Sequence, residues 1–166
     1  QPDKGKDSCL ECIEGRYCKN NASTPLICPP NFYCPSGTGD PLYCSNGTYS
    51  TSEGLSSLDQ CIPCSPGKWC ALGTEIGECS AGFHCKLGSD TPTPNFLPGT
   101  DQRGNLCPPG FFCPIGTVTP NQCPSGLFSD TLGAADSTVC GPCNAGYVCL
   151  EGNSMKVPCP VGQYCP

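Results

Sequence analysis

The chain of 166 residues has little of what an ordinary hydrophobic core is made from: 6 Phe, 6 Tyr, 1 Trp and 1 Met. No apolar run approaches the roughly 18 residues of a membrane-spanning helix, so no direct membrane span is expected in this segment. Basic residues are also few, with Lys plus Arg at 8 and scattered singly. Nucleic-acid binding asks for a concentrated basic face, and no nucleic-acid partner is expected. The single histidine, His84, is flanked by Phe83 and Cys85 and reads as part of a turn surface rather than a general base. There is no serine elbow, no H-E-x-x-H and no glycine-rich phosphate loop in a strand–helix setting. Glu75, Glu78, Asp130 and Asp136 read as isolated solvated groups, not as the clustered oxygen set of a calcium site. The chain is not expected to be an enzyme, and no catalytic, cofactor-binding or metal-binding residue is assigned.

What the chain has in quantity is 19 Cys, 21 Gly and 20 Pro. A cysteine-rich chain with so little apolar bulk is a disulfide scaffold. Disulfide scaffolds persist in oxidising compartments, so an extracellular or cell-surface location is expected. No leader precedes Gln1 and the chain stops one residue past Cys165, so a processed chain or a window of a longer one is expected. The net charge of −6 is modest and nominates no partner.

The cysteines repeat. C-x2-C-x5-C occurs at Cys9/Cys12/Cys18, Cys61/Cys64/Cys70 and Cys140/Cys143/Cys149, followed by a C-x5-C pair at Cys28/Cys34, Cys79/Cys85 and Cys159/Cys165. An additional C-x5-C pair, Cys107/Cys113, enlarges the middle module. Cys44 and Cys123 each precede a sixteen-residue loop that begins Gly-x-aromatic-Ser and holds a central glycine, Gly54 or Gly133. The expected organisation is a lead-in at 1–8, a module with joining loop at 9–60, a second module at 61–139 and a partial third at 140–166. Modules that contact only their neighbours form a quasi-linear array. The fold class expected is therefore small disulfide-rich repeats, an elongated tandem array with short β ribbons and little regular secondary structure.

Nineteen is odd. If Cys44 bonds Cys61 and Cys123 bonds Cys140, the remaining cysteines fall into even groups and Cys9 alone is left, its partner upstream; a free or intermolecular thiol at Cys9 is the alternative. Within the even groups, an alternating first-to-third, second-to-fourth pattern is preferred. Thr48–Thr51 and Leu127–Ser129 are expected to form ribbons inside the long loops, with the central glycine at the turn. Residues 86–106, rich in Pro and Thr, read as an exposed loop or hinge. In every module a glycine, or once Asn31, precedes an aromatic and a cysteine, which places the ring over a disulfide as a miniature core.

The close Cys pairs lie too far apart in sequence to read as two zinc half-sites, and they lack the strand-to-helix setting of a redox dithiol. Modification signals are clearer. Asn21-Ala22-Ser23 and Asn46-Gly47-Thr48 are N-glycosylation sequons, and Thr91-Pro92-Thr93-Pro94 reads as an O-glycosylated or modified-proline tract.

The Cys44 and Cys123 stretches, with their Gly-x-aromatic-Ser start and C-x2-C ending, resemble the ephrin-receptor-like cysteine-rich repeats of extracellular proteins. The units CPPNFYCPSG, CPPGFFCPIG and CPVGQYCP are similar to arrays in algal and protist surface proteins, including flagellar-hair (mastigoneme) proteins. The resemblance spans about 9–165 and implies a non-catalytic structural segment of an extracellular fibrous or cell-surface glycoprotein, a disulfide-locked rod or filament building block. Its partners would be homotypic or other extracellular protein contacts, covalent glycans, and upstream and downstream repeats. The alternative is a recognition module of a receptor ectodomain, its contact at Phe96 and Leu97 in the middle insertion. Non-reducing peptide mapping of the full-length protein is expected to recover Cys9 linked to a cysteine upstream of Gln1; a free thiol there defeats this account.

Overall fold

In a computed structural model, residues 12–19, 24–95, 103–150 and 156–165 are described. Cys9, Asn21, Phe96 and Leu97 lie outside the described residues. The chain is a disulfide-rich tandem array of short β-hairpin repeats. Each strand pair forms its own two-stranded sheet: β1 (Arg16–Tyr17) with β2 (Leu26–Ile27), β3 (Phe32–Tyr33) with β4 (Leu42–Tyr43), and β5 (Thr48–Tyr49) with β6 (Ile62–Pro63). The series continues with β7 (Lys68–Ala71) and β8 (Thr74–Glu78), then β9 (Phe83–Cys85) and β10 (Gly104–Leu106). It ends with β11 (Phe111–Phe112) and β12 (Asn121–Gln122), β13 (Leu127–Phe128) and β14 (Gly141–Pro142), and β15 (Tyr147–Val148) and β16 (Val157–Pro158). Helix among the described residues is confined to two three-residue 3-10 turns, Leu58–Gln60 and Ser137–Val139.

The hairpins come from a turn written into the sequence. After the first cysteine of each repeat, the chain makes a four-residue turn closed by a backbone bond, as in Phe32 N–H to Pro29 O at 3.3 Å and Lys68 N–H to Ser65 O at 3.1 Å. The third turn residue has positive φ, +74° at Asn31 and +80° at Gly67. Pro30, Pro66 and Pro109 occupy the second position. Proline followed by a positive-φ residue is the signature of a type II turn.

All eighteen cysteines among the described residues are bonded. Seven disulfides close single C-x5-C units: Cys12–Cys18, Cys28–Cys34, Cys64–Cys70, Cys79–Cys85, Cys107–Cys113, Cys143–Cys149 and Cys159–Cys165. Two close the long loops, Cys44–Cys61 and Cys123–Cys140, each with a separation of 17 residues. The alternating pattern is thereby corrected. The type II turn folds each C-x5-C unit on itself and sets its two Cα atoms 5.6–5.9 Å apart, the reach of one disulfide.

The repeats fall in two compact units, one of Gln1–Pro63 with Ala71–Glu75, the other of Cys64–Cys70 with Ile76–Pro166. Inside each, the backbone N–H and carbonyl of one turn residue grip the next repeat. In the first unit, Gly15 N–H donates to Cys34 O at 2.8 Å and Gly15 O accepts from Cys28 N–H at 3.0 Å. In the second, Gly82 does the same with Cys113 O and Cys107 N–H, and Gly110 with Ser129 O and Cys123 N–H. The core is made of cysteine: Cys28, Cys34, Cys64, Cys70, Cys79, Cys85, Cys107 and Cys113 have no exposed surface. Tyr33 packs against Cys44, Leu55 and Cys61, and Phe32 lies 4.2 Å, centroid to centroid, from Tyr43.

Two further expectations are corrected. No ribbon forms within the long loops. Thr48–Tyr49 pairs instead beyond the disulfide with Ile62–Pro63, and Leu127–Phe128 with Gly141–Pro142. The loop backbone is already spent on the preceding repeat: Gly54 N–H bonds Cys28 O, Cys34 N–H bonds Leu55 O, and Gly133 N–H bonds Cys107 O. Nor is 86–106 simply an exposed loop. Ser89 and Pro94 are fully buried, Cys70 N–H bonds Ser89 O at 3.0 Å, and β10 pairs with β9.

A Cβ at Gly82, where φ is +85°, would sit 2.5 Å from Gly133 O; at Gly126, φ +82°, it would meet nothing within 4 Å. Gly126→Ala is expected to cost the ~1–2 kcal/mol of left-handed backbone alone. Gly82→Ala is expected to cost clearly more, because backbone must move. Denaturant midpoints of the two oxidised variants test this, and equal losses would refute a close-packed role for Gly82.

Candidate functional site

The C-x2-C pairs are split between different disulfides. Cys61 bonds Cys44 while Cys64 bonds Cys70, and Cys140 bonds Cys123 while Cys143 bonds Cys149. Each pair is therefore the seam between a long-loop repeat and a short one. Among the described residues no group of three or more His, Cys, Asp or Glu side chains is placed to hold a metal ion.

Long-loop repeats contain a feature that the sequence displays but cysteine counting misses. Ser50 lies six residues after Cys44 and Ser129 six after Cys123, the place of the second cysteine in C-x5-C. Both serines are buried, and their carbonyls accept the N–H of Asn31 and Gly110 as a cysteine carbonyl does elsewhere. Their hydroxyls accept from Ser52 N–H and Thr131 N–H, each at 3.1 Å. With serine in the second position, the first cysteine is free to reach 17 residues ahead. The approach to each distant cysteine is a capped 3-10 turn. Gln60 Oε1 accepts from Ser56 and Ser57 N–H, and Asp136 accepts from Thr138 N–H at 2.8 Å. The Thr138 hydroxyl, then its N–H, hold the exposed Asp136 carboxyl below the ordinary range.

Asn31 takes the place of the turn glycine with a side chain that works. With its amide oriented as its neighbours require, the nitrogen donates to the carbonyls of Ser50 at 2.8 Å and Gly73 at 2.9 Å, and the oxygen accepts from the Thr74 hydroxyl at 3.2 Å.

Asn46 is exposed, on the turn Ser45–Thr48. Its Oδ1 accepts from Leu72 N–H at 3.4 Å. In the Thr-Pro tract, Thr93 is exposed and Thr91 and Pro92 are half-buried, whereas Pro94 is sealed against the backbone of the β9–β10 pair and presents no ring to solvent. Asp130 is not isolated: it pairs with Lys156 Nζ at 2.6 Å, and that ammonium lies 5.3 Å from the centre of the buried Phe128 ring. Burying the ring beside the chain brings the lysine stem over it and the charge onto the carboxylate.

His84, in β9 opposite Asn105, is half-buried, with Nδ1 sealed from solvent and unpartnered among the described residues. Burial, then the nearby Lys86 charge, lowers its pKa from the ordinary 6.5. Such a histidine is held neutral. In the second unit an open depression of about 450 Å³ is lined by Ser125, Pro142, Tyr147, Leu150 and Tyr164, among others, with Tyr164 88% exposed.

No family model matches the chain. It is similar to three transporters. The ABC-type transporter claG of Penicillium crustosum is 35% identical over 118 residues, which is 68% of this chain and 11% of the transporter. ABC transporter G family member 28 of Arabidopsis thaliana is 35% identical over 127 residues, 73% of this chain and 11% of that protein. ABC transporter G family member 25 of Oryza sativa subsp. japonica is 28% identical over 119 residues, 62% and 11%. The chain thus spans about a tenth of the length of the curated relatives it matches.

Because folding depresses the His84 pKa, the unfolded chain binds more protons in the window below 6.5. Stability is therefore expected to fall as pH drops through that window and to be insensitive to this group above it. His84→Gln is expected to flatten the slope in pH-dependent denaturant midpoints; an unchanged slope removes His84 as its source.

Proposed function

We propose that this segment is a non-catalytic, disulfide-locked extracytoplasmic module of a larger cell-surface protein, and that it stands in that protein as the matched tenth stands in the similar transporters. The observation that carries the reading is that every described cysteine is bonded, most of them buried, so the fold depends on an oxidising compartment. Three similarities to ABC transporters support attachment to a membrane protein over a free fibre subunit. The ephrin-receptor-like kinship belongs to the same proposal, supported by the two long-loop disulfides of equal span. Each unit serves as a rigid structural element, because short hairpins closed by their own disulfides and hydrogen-bonded to the next repeat leave little backbone freedom. A second reading, recognition of a ligand or protein, is favoured by the exposed Tyr147–Tyr164 depression.

In intact cells producing the full-length protein, a membrane-impermeant amine reagent is expected to label lysines of this segment. Peptide mapping of the same sample is expected to find its cysteines oxidised. An unlabelled segment carrying alkylatable thiols would overturn the proposal. If Tyr164→Ala abolishes capture of a surface partner while leaving the disulfide map intact, the recognition reading takes precedence.

A further inference from the structure

Asn46 and Thr48 stand on either side of a turn that closes when the repeat folds. Thr48 N–H donates to Ser45 O at 2.9 Å, and the Thr48 hydroxyl donates to the same carbonyl at 2.7 Å. Gly47 between them is buried with φ +82°, and Thr48 is the first residue of β5, paired with Pro63. The sequon threonine is thus committed twice, by its hydroxyl and by its strand. Glycan transfer requires that hydroxyl, which the transferring enzyme must reach together with the asparagine. The folded turn does not offer it.

The product is another matter. Asn46 is exposed, and its one side-chain bond uses Oδ1, which accepts from Leu72 N–H. Nδ2 is left to carry a substituent with the observed bond intact. The fold tolerates a glycan at Asn46 but cannot receive one there.

What closes the turn is the strand pairing of Thr48–Tyr49 with Ile62–Pro63, and Pro63 lies two residues past Cys61, whose partner Cys44 lies two residues before Asn46. The disulfide brackets both the acceptor and the strand that locks it. We propose that Asn46 is a glycan acceptor only until Cys44–Cys61 forms, so that oxidation of this one pair sets its occupancy. In the transfer, Asn46 Nδ2 forms a bond to the anomeric carbon of a polyprenyl-diphosphate-linked oligosaccharide. The anomeric C–O bond breaks, the lipid diphosphate leaves with the electron pair, and one amide proton is released to a base of the transferring enzyme. The inference rests on the extracytoplasmic reading, since transfer and oxidation must share a compartment.

The chain is produced in a eukaryotic secretory host, and Asn46 occupancy is read by glycopeptide mass spectrometry beside a disulfide map. Wild type is expected to be partly occupied, Thr48→Ala unoccupied, and the Cys44→Ser/Cys61→Ser double variant occupied severalfold more than wild type. The Cys123→Ser/Cys140→Ser double variant opens the equivalent loop in the other unit and is expected to match wild type. Equal occupancy in wild type and the Cys44/Cys61 variant overturns the coupling, as does an equal rise in both double variants, which would trace it to slow folding in general. An unoccupied Asn46 in all four chains overturns the site. The extracytoplasmic reading fails separately: it is refuted by free thiols in this segment isolated from its native cells, whatever the glycan result.

Discussion

The structure depends on one turn residue whose backbone is used twice, through its N–H and through its carbonyl. At seven turns (Gly15, Asn31, Gly67, Gly82, Gly110, Gly126 and Gly146) the third residue offers its N–H to the carbonyl of the second cysteine of the next repeat, or of the serine in its place, and its carbonyl to the N–H of that repeat's first cysteine. Within each unit those two bonds join hairpins that are each too small to be stable in water, so that successive repeats satisfy one another's backbone. Side chains add little to this. The fully buried set is dominated by cysteine, with Pro94, Ser50 and Ser89, and most of the large apolar residues stay half-exposed.

That arrangement explains why the turn residue tolerates so little. Positive φ alone would admit asparagine, and Asn31 shows that it does, once its side chain finds Ser50, Gly73 and Thr74. At Gly82 the second constraint is contact: the turn sits against Gly133 of a later repeat, and a Cβ has no room. Disulfide and turn then cooperate. The turn brings the two cysteines of C-x5-C within bonding reach, and the bond prevents the turn from opening. A module built this way needs oxidation rather than a large core to hold its shape, which is the physical basis of the extracytoplasmic structural role proposed for it. It also makes the order of bond formation matter, because each closure removes backbone and side-chain groups from other chemistry.

The candidate sites were unequally legible. The N-glycosylation signal at Asn46 is readable as a three-residue pattern, and so is the turn that contains it, because both are local. Whether that turn leaves Thr48 available is not local: it depends on Pro63 and Ser45, positioned by the disulfide and the strand pair. The Thr-Pro tract reads as exposed from composition, yet Pro94 is buried because β10 returns over it. Asp130 reads as solitary because its partner, Lys156, is 26 residues away and is placed by a later repeat.

By itself the sequence determined the repeat unit, the turn positions and the dependence on disulfides, since C-x5-C spacing, Pro-Gly turn chemistry and the poverty of aromatics are all properties of neighbouring residues. Only the tertiary structure decided that short units pair their own cysteines, that Ser50 and Ser129 stand where a second cysteine would, and that the long loops bond backward to the preceding repeat rather than to themselves. The reason is physical. Turn geometry is set by a few adjacent dihedrals, whereas a disulfide partner or a strand partner is set by which repeat lies alongside, and that follows from backbone bonds between residues distant in the chain.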